Sequence, residues 1–516
     1  MKINSNHLLN FTNIAAKIFI FSLLIFYGIS SFKSSSYEVL FIDERILIDD
    51  IYNIWLLDDT FNRFNSVDNN LLKNLLIFFI EFAYGGDLRY GRLWSNFFVI
   101  FAGPASLFGD IALITFSRIL NILLFFIGNF LLVRHLVKKD YQWIALLTIY
   151  SLPSVEYLHR IPKPDTFLIL FVAIGLKFLI QEEYYKAIFF LAIASFIKIN
   201  TIVLFAFLGI YILFNFKESK VSFVLRSFFI TISALFIVNP ILIIPPIKLG
   251  NFNFPNFYQI YFQWLTSQGT YGESNSLSLS TPEKWLSTLT EFYKLTPSSN
   301  ILFLLLLIIF IFSGIYITAK NGDKLSAILI FVSLFYLFFY FLFIERQYTH
   351  YLHLPLSLLV LSIFRNFEVT EINYSGKILT FVFILFVILG TFSNYERFVA
   401  EKNFNANDRY GYTNINNEID AVKLVDNIVK EINNIYKNNK NLNKNLVYWH
   451  PNLFIPRNGI TYSELFFVRE YWGSKSKPSD ALIEADIFVT YTDYKNYESE
   501  LIDKINIENI YIYFKK

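Results

Sequence analysis

Long apolar stretches alternate with short polar ones along most of this chain, and their lengths predict helices that cross a membrane. A spanning helix needs roughly 20 consecutive, mostly apolar residues. By that measure the sequence predicts about eleven spans, at residues 15–32, 112–133, 141–157, 166–180, 186–198, 200–215, 222–244, 300–318, 326–344, 351–364 and 377–393. The expected fold class is a polytopic α-helical membrane protein.

The basic residues between these stretches predict how the chain is oriented. Cytoplasmic loops of membrane proteins are enriched in Lys and Arg. With a cytoplasmic N-terminus, the inner loops carry Arg134, Lys138, Lys139, Lys186, Lys217, Lys220, Arg226, Lys320, Lys324, Arg365 and Lys377. Two long loops, 33–111 and 245–299, are then expected outside the cytoplasm. A signal peptide cleaved after the first apolar run would leave them on the same side.

The first outer loop contains apolar segments that are too short to cross. Residues 46–57 have apolar side chains at helical spacing, and 72–84 is a similar short segment. Residues 93–109 are interrupted by Gly103-Pro104, and counting them as a span would put the Lys and Arg clusters outside. We therefore expect helices that lie flat along the membrane surface here.

The tail is hydrophilic and predicts a different kind of structure. An amphipathic helix is indicated by apolar residues on one face, namely Ile415, Ile419, Val422, Val429 and Ile432. Residues 446–449, 487–490 and 510–514 are typical of short strands. The expected domains are a membrane domain over 1–393 and a soluble extracytoplasmic α/β domain over 394–516.

Composition agrees with a membrane protein and excludes several classes of function. Of the 516 residues, 55% are hydrophobic and 16% charged, which is too apolar for a soluble globular protein. A net charge of +3 without a basic tract argues against a nucleic-acid partner. The chain has no Cys, so disulfides, thiol nucleophiles and Cys-based metal sites are excluded.

An acidic pair, Asp43-Glu44, follows the first predicted span and precedes Arg45. Ionised side chains near hydrocarbon are costly, so such a pair is either solvated or functional. A carboxylate beside a bound substrate can act as a general base and accept a hydroxyl proton. The alternative is a solvated acid at the membrane interface.

Residues 85–94 form a glycine-containing segment with Arg89 and Arg92. Glycines permit tight turns, and the planar guanidinium groups suit phosphate. The alternative is a flexible turn whose arginines extend to the membrane interface.

Residues 159–165 contain Arg160, Lys163 and Asp165 between two predicted helices, with prolines that end one helix before the next begins. Asp165 is expected to cap the second helix. The two cations run against the positive-inside trend in this outer turn. Lys198, the only charge between positions 186 and 217, is also predicted at an outer turn.

A last outer cluster, residues 345–353, contains Arg346, His350 and His353. The two histidines are three residues apart, on one face of a helix. Metal binding by this pair is one alternative, but no clear motif such as HExxH is present, so interfacial hydrogen bonding is the expected role. All these outer cations lie at the membrane face that carries the acidic residues, which suits an anionic lipid head group, especially phosphate.

The order of these features resembles the GT-C superfamily of polytopic glycosyltransferases. The likeness is to the branch that contains the protein O-mannosyltransferases and the lipid A aminoarabinose transferase. It covers about residues 10–400. The segments similar to family motifs are Asp43-Glu44-Arg45, the flat-lying loop helices, Arg89-Tyr-Gly-Arg92, Ser117-Arg-Ile-Leu120, Lys163-Pro-Asp165, Lys198 and Tyr348–Pro355.

The resemblance implies an inverting glycosyltransferase that moves a sugar from a polyprenyl-phosphate donor to an acceptor hydroxyl. It implies Asp43 as general base, with Glu44 and Asp165 as further catalytic acids. The six cations Arg89, Arg92, Arg160, Lys163, Lys198 and Arg346 would bind the phosphate. No cofactor is required, although a divalent cation is left open. The acceptor is an unknown lipid, glycan or protein, and the site faces outward from a bacterial inner membrane.

Two other classes of function remain open on the sequence. An O-antigen polymerase or ligase also acts outside on undecaprenyl-linked glycan, but relies on basic residues in a late outer loop. A transporter or flippase of lipid-linked sugars would need charges buried within the spans.

Overall fold

The structure of the protein is a computed structural model. It describes residues 5–34, 42–55, 91–152, 155–198, 201–217, 219–239, 297–343, 349–366, 385, 387–392, 394–395, 418–450, 461–463, 466–470, 478–494 and 502–515. The predicted segment 72–84 and most of the predicted loop 245–299 lie outside these residues.

Up to residue 366 the described structure is helical. The α-helices are α1 (Ser5–Ser34), α2 (Ile42–Trp55), α3 (Arg92–Phe101), α4 (Asp110–Leu136), α5 (Gln142–Tyr150), α6 (Val155–Arg160), α7 (Pro164–Ile180), α8 (Tyr184–Ile197), α9 (Ile202–Asn215), α10 (Lys220–Val238), α11 (Pro297–Asn321), α12 (Lys324–Phe343) and α13 (His353–Arg365). Short 3₁₀ helices occur at Gly103–Phe108, Lys139–Tyr141 and Thr349–Leu352.

Four described helices are long and apolar enough to cross a membrane: Asn10–Lys33, Ile111–Leu136, Lys220–Val238 and Lys324–Leu342. Helices α8, α9 and α13 are apolar but shorter, at 14, 14 and 13 residues. At 1.5 Å per residue each spans about 20 Å, less than the ~30 Å hydrocarbon layer. The described residues thus support a membrane protein with four such helices, and they do not confirm eleven spans.

Large apolar side chains on α1 and α10 face outward. Phe11 and Ile18 of α1 are 70% and 63% exposed, and Val221 and Phe229 of α10 are 71% and 65% exposed. Large apolar side chains exposed in such numbers on single helices are unusual on soluble monomers. It is the surface expected of helices that lipid surrounds.

The single span predicted over 141–157 is wrong as a continuous helix. α5 ends at Tyr150 and α6 begins at Val155. The sequence between them contains Pro153, which lacks an N–H donor and disfavours a helical conformation in the residue before it. The expected break at Gly103-Pro104 is confirmed, since α3 ends at Phe101 and a 3₁₀ helix follows.

Contacts divide the chain into two units. The first contains Met1–Ile29, Asp87–Trp94 and Arg118–Phe398, and the second contains Ser30–Gly86, Ser95–Ser117 and Val399–Lys516. Within the first unit α8 packs against α7, α9 and α10, and α12 packs against α9 and α13.

The second unit includes the acidic helix α2, which packs against the 3₁₀ helix Gly103–Phe108. Trp55 Nε1 donates a hydrogen bond of 2.7 Å to the Val99 carbonyl oxygen. The buried face of α2 carries Leu47, Ile48 and Ile51 at helical spacing. A helix was predicted over 46–57, and the observed helix begins four residues earlier, at Ile42.

The C-terminal part of the second unit combines helices and a sheet, which agrees with the α/β structure predicted for the tail; its second helix and three of its strands were not predicted. Its helices are α14 (Glu418–Asn438) and α15 (Pro478–Glu484). Its strands are β1 (Leu446–Trp449), β2 (Thr461–Ser463), β3 (Phe466–Glu470), β4 (Ile487–Thr490), β5 (Ile502–Ile507) and β6 (Ile510–Lys515), in the order β2-β3-β1-β4-β6-β5.

The sheet is mixed, because β1 pairs in parallel with β3 and β4 while β2, β6 and β5 pair antiparallel. Alternate residues of the central strands face opposite helices. Val447 and Trp449 pack in the cluster that contains Ile428 and Ile432 of α14. Tyr448 packs in the other cluster, with the apolar side chains of α15.

Candidate active site

A buried ion pair joins Asp165 and Lys198 in the first unit. Lys198 Nζ lies 2.7 Å from both Oδ1 and Oδ2 of Asp165. The two side chains are only 9% and 6% exposed. Lys198 is the residue that ends α8, with extended backbone angles (φ −147°, ψ 113°). The apolar run therefore breaks at Lys198, as the sequence predicts, and its charge turns inward.

Asp165 does not cap α7 as expected. Lys163 is the N-cap residue, with φ −137° and ψ 148°, and Pro164 opens the helix. Proline suits this first position because its missing N–H would have no helical partner there. Asp165 lies in the first turn, where a negative charge is favourable to the helix dipole. Its carboxylate is left to bind Lys198.

Tyr351, from the 3₁₀ helix Thr349–Leu352, completes this cluster. Lys198 Nζ lies 3.8 Å from the centre of the Tyr351 ring, a cation–π contact. The cluster therefore brings together segments that are far apart in the chain: the start of α7, the end of α8 and the segment before α13. Each of these three segments contains one of the motifs named from the sequence: Lys163-Pro-Asp165, Lys198 or Tyr348–Pro355.

A cleft opens beside this pair, and we call it the Asp165 cleft. Its polar lining consists of Asp165, Tyr336, Tyr351 and His353, and four Leu and Ile side chains form the rest of the described lining. Its cavity volume is about 10 Å³. That is the room that one buried water molecule needs. The cleft as it stands is therefore too small for an organic ligand.

Asn121 of α4 holds the turn between α6 and α7 in place. Its Nδ2 donates to the carbonyl oxygens of Leu158 (2.6 Å) and Ile161 (3.0 Å). Its Oδ1 accepts from the Thr166 hydroxyl at 2.8 Å. One buried amide thereby satisfies backbone groups that the prolines of this turn leave without helical partners.

His353, the first residue of α13, is also held by α4. Its Nε2 lies 3.3 Å from Asn129 Oδ1 and 3.4 Å from the Ser357 hydroxyl. Asn129 Nδ2 donates to the Phe125 carbonyl oxygen at 2.9 Å, which fixes the amide with Oδ1 toward the histidine. His353 Nε2 is therefore the protonated nitrogen and Nδ1 is an acceptor.

Of the two predicted histidines, the structure describes the side chain of His353 only. His350 lies in the 3₁₀ helix before α13, and its side chain is outside the described residues. Among the residues that the structure describes, no group of three or more acidic or histidine side chains could hold a metal ion.

Two predicted phosphate-binding cations are buried in the first unit. Lys163 is 7% exposed and Arg92, the first residue of α3, is 4% exposed. The backbone before Arg92 is fixed by Gly91, which has φ +69°. A Cβ atom at Gly91 would lie 2.3 Å from Val238 Cγ1, so only glycine fits there.

The remaining predicted cations are described in part or not at all. Arg160 is the last residue of α6, and its side chain is outside the described residues. Arg89 and Arg346 also lie outside them.

The acidic pair lies in α2 of the second unit. Glu44 is fully buried and shares the buried helix face with Leu47, Ile48 and Ile51. The alternative of a solvated acid is therefore wrong for Glu44, and a buried carboxylate must be held by partners. The structure describes the backbone of Asp43 in α2 but not its side chain.

The sequence did not single out three polar residues around the cleft, Asn121, Asn129 and Tyr336, and it named Tyr351 only as part of the segment Tyr348–Pro355. The two asparagines could have been found, because an Asn in an otherwise apolar α4 needs a hydrogen-bond partner in a low-dielectric setting. Tyr336 could not be singled out among the 33 tyrosines of this chain.

Comparisons with protein-family models, with curated protein sequences and with solved structures find no match to this chain.

Proposed function

We propose that the chain is a membrane glycosyltransferase that moves a sugar from a polyprenyl-phosphate donor to an acceptor hydroxyl. The proposal includes the finer topology expected from the sequence, with about eleven spans, an outward-facing site and a bacterial inner membrane. The acceptor is a lipid, a glycan or a protein.

The observation that carries the proposal is the meeting of Asp165, Lys198 and Tyr351. In sequence they belong to separate short motifs that resemble those of GT-C enzymes in order. Short motifs that match by chance have no reason to converge on one buried cluster beside a cleft. Buried charges that line a cleft are often part of functional sites.

The positions of the charges favour an enzyme over a transporter. Asp165 and Lys198 are buried, but they lie at the ends of α7 and α8, not in the middle of helices. Coupled transporters need charges near the middle of the bilayer along a transport path.

In the proposed reaction Asp43 accepts the proton of the acceptor hydroxyl. The hydroxyl oxygen attacks the anomeric carbon as the bond from that carbon to the phosphate oxygen breaks. Polyprenyl phosphate leaves with the bonding electron pair, and the single displacement inverts the anomeric centre. Because phosphate is already a good leaving group, the remaining requirements are positioning and charge stabilisation.

Arg92 and Lys163 are the described cations proposed to hold the departing phosphate. Each would supply charge-assisted hydrogen bonds in a site shielded from water. Lys198 is a weaker candidate for this role than the sequence suggests, since both oxygens of Asp165 already neutralise its charge.

The test compares surface glycans by mass spectrometry in cells with and without this gene. Loss of the gene is expected to remove one sugar from a defined acceptor. Restoring the gene with Asp43→Asn should give transfer that is about 10²–10⁴-fold slower, the usual share of a general base. Asn keeps the size of Asp but cannot take the proton.

Asp140→Asn is the matched control, because Asp140 is an exposed acid in the turn before α5. Transfer by this variant should equal that of the parent at equal protein abundance. Unchanged glycans on loss of the gene would contradict the proposed function. Full transfer by Asp43→Asn would remove this residue from the mechanism.

A further inference from the structure

The end of α3 and the 3₁₀ helix Gly103–Phe108 expose four large apolar side chains. Phe108 is 83% exposed and Leu107 is 67% exposed, and Ile100 and Phe101 are each just over half exposed. Residues 93–109 contain no charged side chain. We call Ile100, Phe101, Leu107 and Phe108 the apolar tip.

The polar side chains of the same stretch point the other way, into the protein. Ser95 and Asn96 of α3 and Ser106 of the 3₁₀ helix are all buried. The Ser106 hydroxyl donates a hydrogen bond of 2.6 Å to the Gly103 carbonyl oxygen. In water the usual arrangement is the reverse, with apolar side chains inside and polar ones outside. The stretch is therefore built for apolar surroundings.

The course of the chain identifies those surroundings as membrane lipid. Two residues separate Phe108 from the candidate span Ile111–Leu136. An extended chain covers at most about 3.6 Å per residue, so Phe108 lies within about 11 Å of the first residue of the span. Ile111 and Phe116 at the start of α4 are also exposed. Exposed apolar side chains thus occur from the tip onto the span itself.

The acidic helix α2 is fixed to this stretch by Trp55. Its Nε1 donates a hydrogen bond of 2.7 Å to the Val99 carbonyl oxygen. A Cβ atom at Gly103 would lie 1.8 Å from the same nitrogen, so glycine provides the space in which the indole ring sits. The position of α2, which contains Asp43 and Glu44, therefore depends on the position of the tip.

We infer that the apolar tip inserts into the lipid bilayer and anchors α2 at the membrane surface. Apolar faces of interfacial helices are buried about 5–10 Å into the boundary between head groups and acyl chains. The sequence predicts only that short helices lie along this surface. The structure adds the side chains that enter the lipid and the helix that they hold.

The first test measures the depth of the tip. The chain has no Cys, so a single-Cys variant carries one nitroxide label. Full-length Phe108→Cys is labelled and reconstituted in phosphatidylcholine liposomes. Power-saturation EPR then compares its collisions with O₂, which concentrates in lipid, and with Ni-EDDA, which stays in water. We expect O₂ to collide with this label several-fold more effectively than Ni-EDDA.

Ile483→Cys is the matched control, since Ile483 is an apolar residue of α15 in the C-terminal domain and is 70% exposed. Ni-EDDA should reach its label readily. A label at position 108 that Ni-EDDA reaches equally well would place the tip in water and overturn the inference. A label that neither reagent reaches would mean that protein covers the tip, which also overturns it. Leu107→Cys repeats the measurement at a second exposed site if Phe108→Cys fails to fold.

The second test measures whether the tip holds α2. A second label is added at Asn53, which by helical spacing is opposite the buried face of α2. Double electron–electron resonance gives the distribution of distances between the labels at 53 and 108. A narrow distribution is expected in the otherwise unchanged protein.

Gly103→Ala should broaden this distribution, because the added methyl group displaces Trp55 and leaves the apolar tip intact. Gly209→Ala is the control, since nothing lies within 4 Å of its added Cβ, and it should leave the distribution narrow. An equally narrow distribution in Gly103→Ala, or a broad one before any glycine is changed, would overturn the anchoring of α2. Neither measurement needs a substrate, so both outcomes are independent of the proposed sugar transfer.

Discussion

The pairing of Lys198 with Asp165 determines what either residue can do. Burying two charges costs several kcal/mol per ion, and close contact with good geometry is needed to offset it. The contact here engages both carboxylate oxygens at 2.7 Å. The tyrosine ring at 3.8 Å adds a further favourable contact for the ammonium group. Neither charge is therefore free to act alone.

Removing one partner of this pair should be far more harmful than removing both. We expect Lys198→Met alone to lower the free energy of unfolding by about 3–5 kcal/mol, because it leaves a buried carboxylate without its cation. Asp165→Asn combined with Lys198→Met should recover most of that loss. Thermal unfolding of the four proteins of the cycle in detergent measures the coupling. Additive losses would mean that the two charges do not interact.

The sequence identified both residues of this pair but not the pair itself. Each stands out as a charge beside an apolar run, which is a local signal. Their contact joins positions 165 and 198 through the packing of α7 on α8, which no local pattern contains. Helix-capping preference pointed to Asp165, but the proline at position 164 moves the start of α7 back and makes Lys163 the cap.

Among the larger elements, the turn before α3 depends on a glycine. We expect Gly91→Ala to lower the free energy of unfolding by about 2–4 kcal/mol, through its positive φ and the contact with Val238. Gly209→Ala is the matched control, since Gly209 lies inside α9 with nothing within 4 Å of an added Cβ. Better helix propensity should make that variant about 0.5–1 kcal/mol more stable. If Gly91→Ala and Gly209→Ala shift the melting temperature in the same direction, the requirement for glycine at position 91 is contradicted.

A second element-scale effect concerns His450, which follows β1. Its ring packs edge-on against Tyr491 at 4.8 Å, and burial lowers the pKa of His450. In the unfolded chain the pKa is about 6.5, so as pH falls below that value the unfolded state takes up the proton first. The stability that the folded domain has above pH ~6.5 should therefore be lost as the solution becomes more acidic.

Hydrogen exchange of the β1 and β4 amides in the full-length protein measures this pH dependence locally. Protection should fall between about pH 8 and pH 5, after correction for intrinsic exchange. His450→Gln cannot titrate, so it should flatten the dependence. An equal dependence in the variant would assign the effect to other groups.

The sequence predicted elements well where one physical signal dominates. Strands β1, β4 and β6 are almost wholly apolar because helices cover both faces of the sheet, and they were predicted. Strands β2, β3 and β5 were missed. Strand β5 lies at the edge of the sheet and carries polar Asp503, Lys504 and Asn506, so its apolar pattern is interrupted. The break between α5 and α6 was missed because the apolar character of residues 141–157 predicted one continuous helix, and the single proline within them was given too little weight.

At the scale of the whole molecule, the number of predicted spans determines on which side of the membrane each loop and the C-terminal domain are expected. Basic inner loops and an odd number of spans predict that the C-terminal domain is outside the cytoplasm. A reporter that is active only in the cytoplasm should be silent when fused after Lys516, and active when fused after Lys139. Activity at Lys516 would reverse the expected side of the tail and contradict the outward-facing site.

The neutral Asp165–Lys198 pair also has an electrical consequence. Moving one elementary charge across a membrane is worth about 2.3 kcal/mol per 100 mV, which is how voltage drives sensors and many carriers. A rearrangement that carries both residues together moves no net charge through the field.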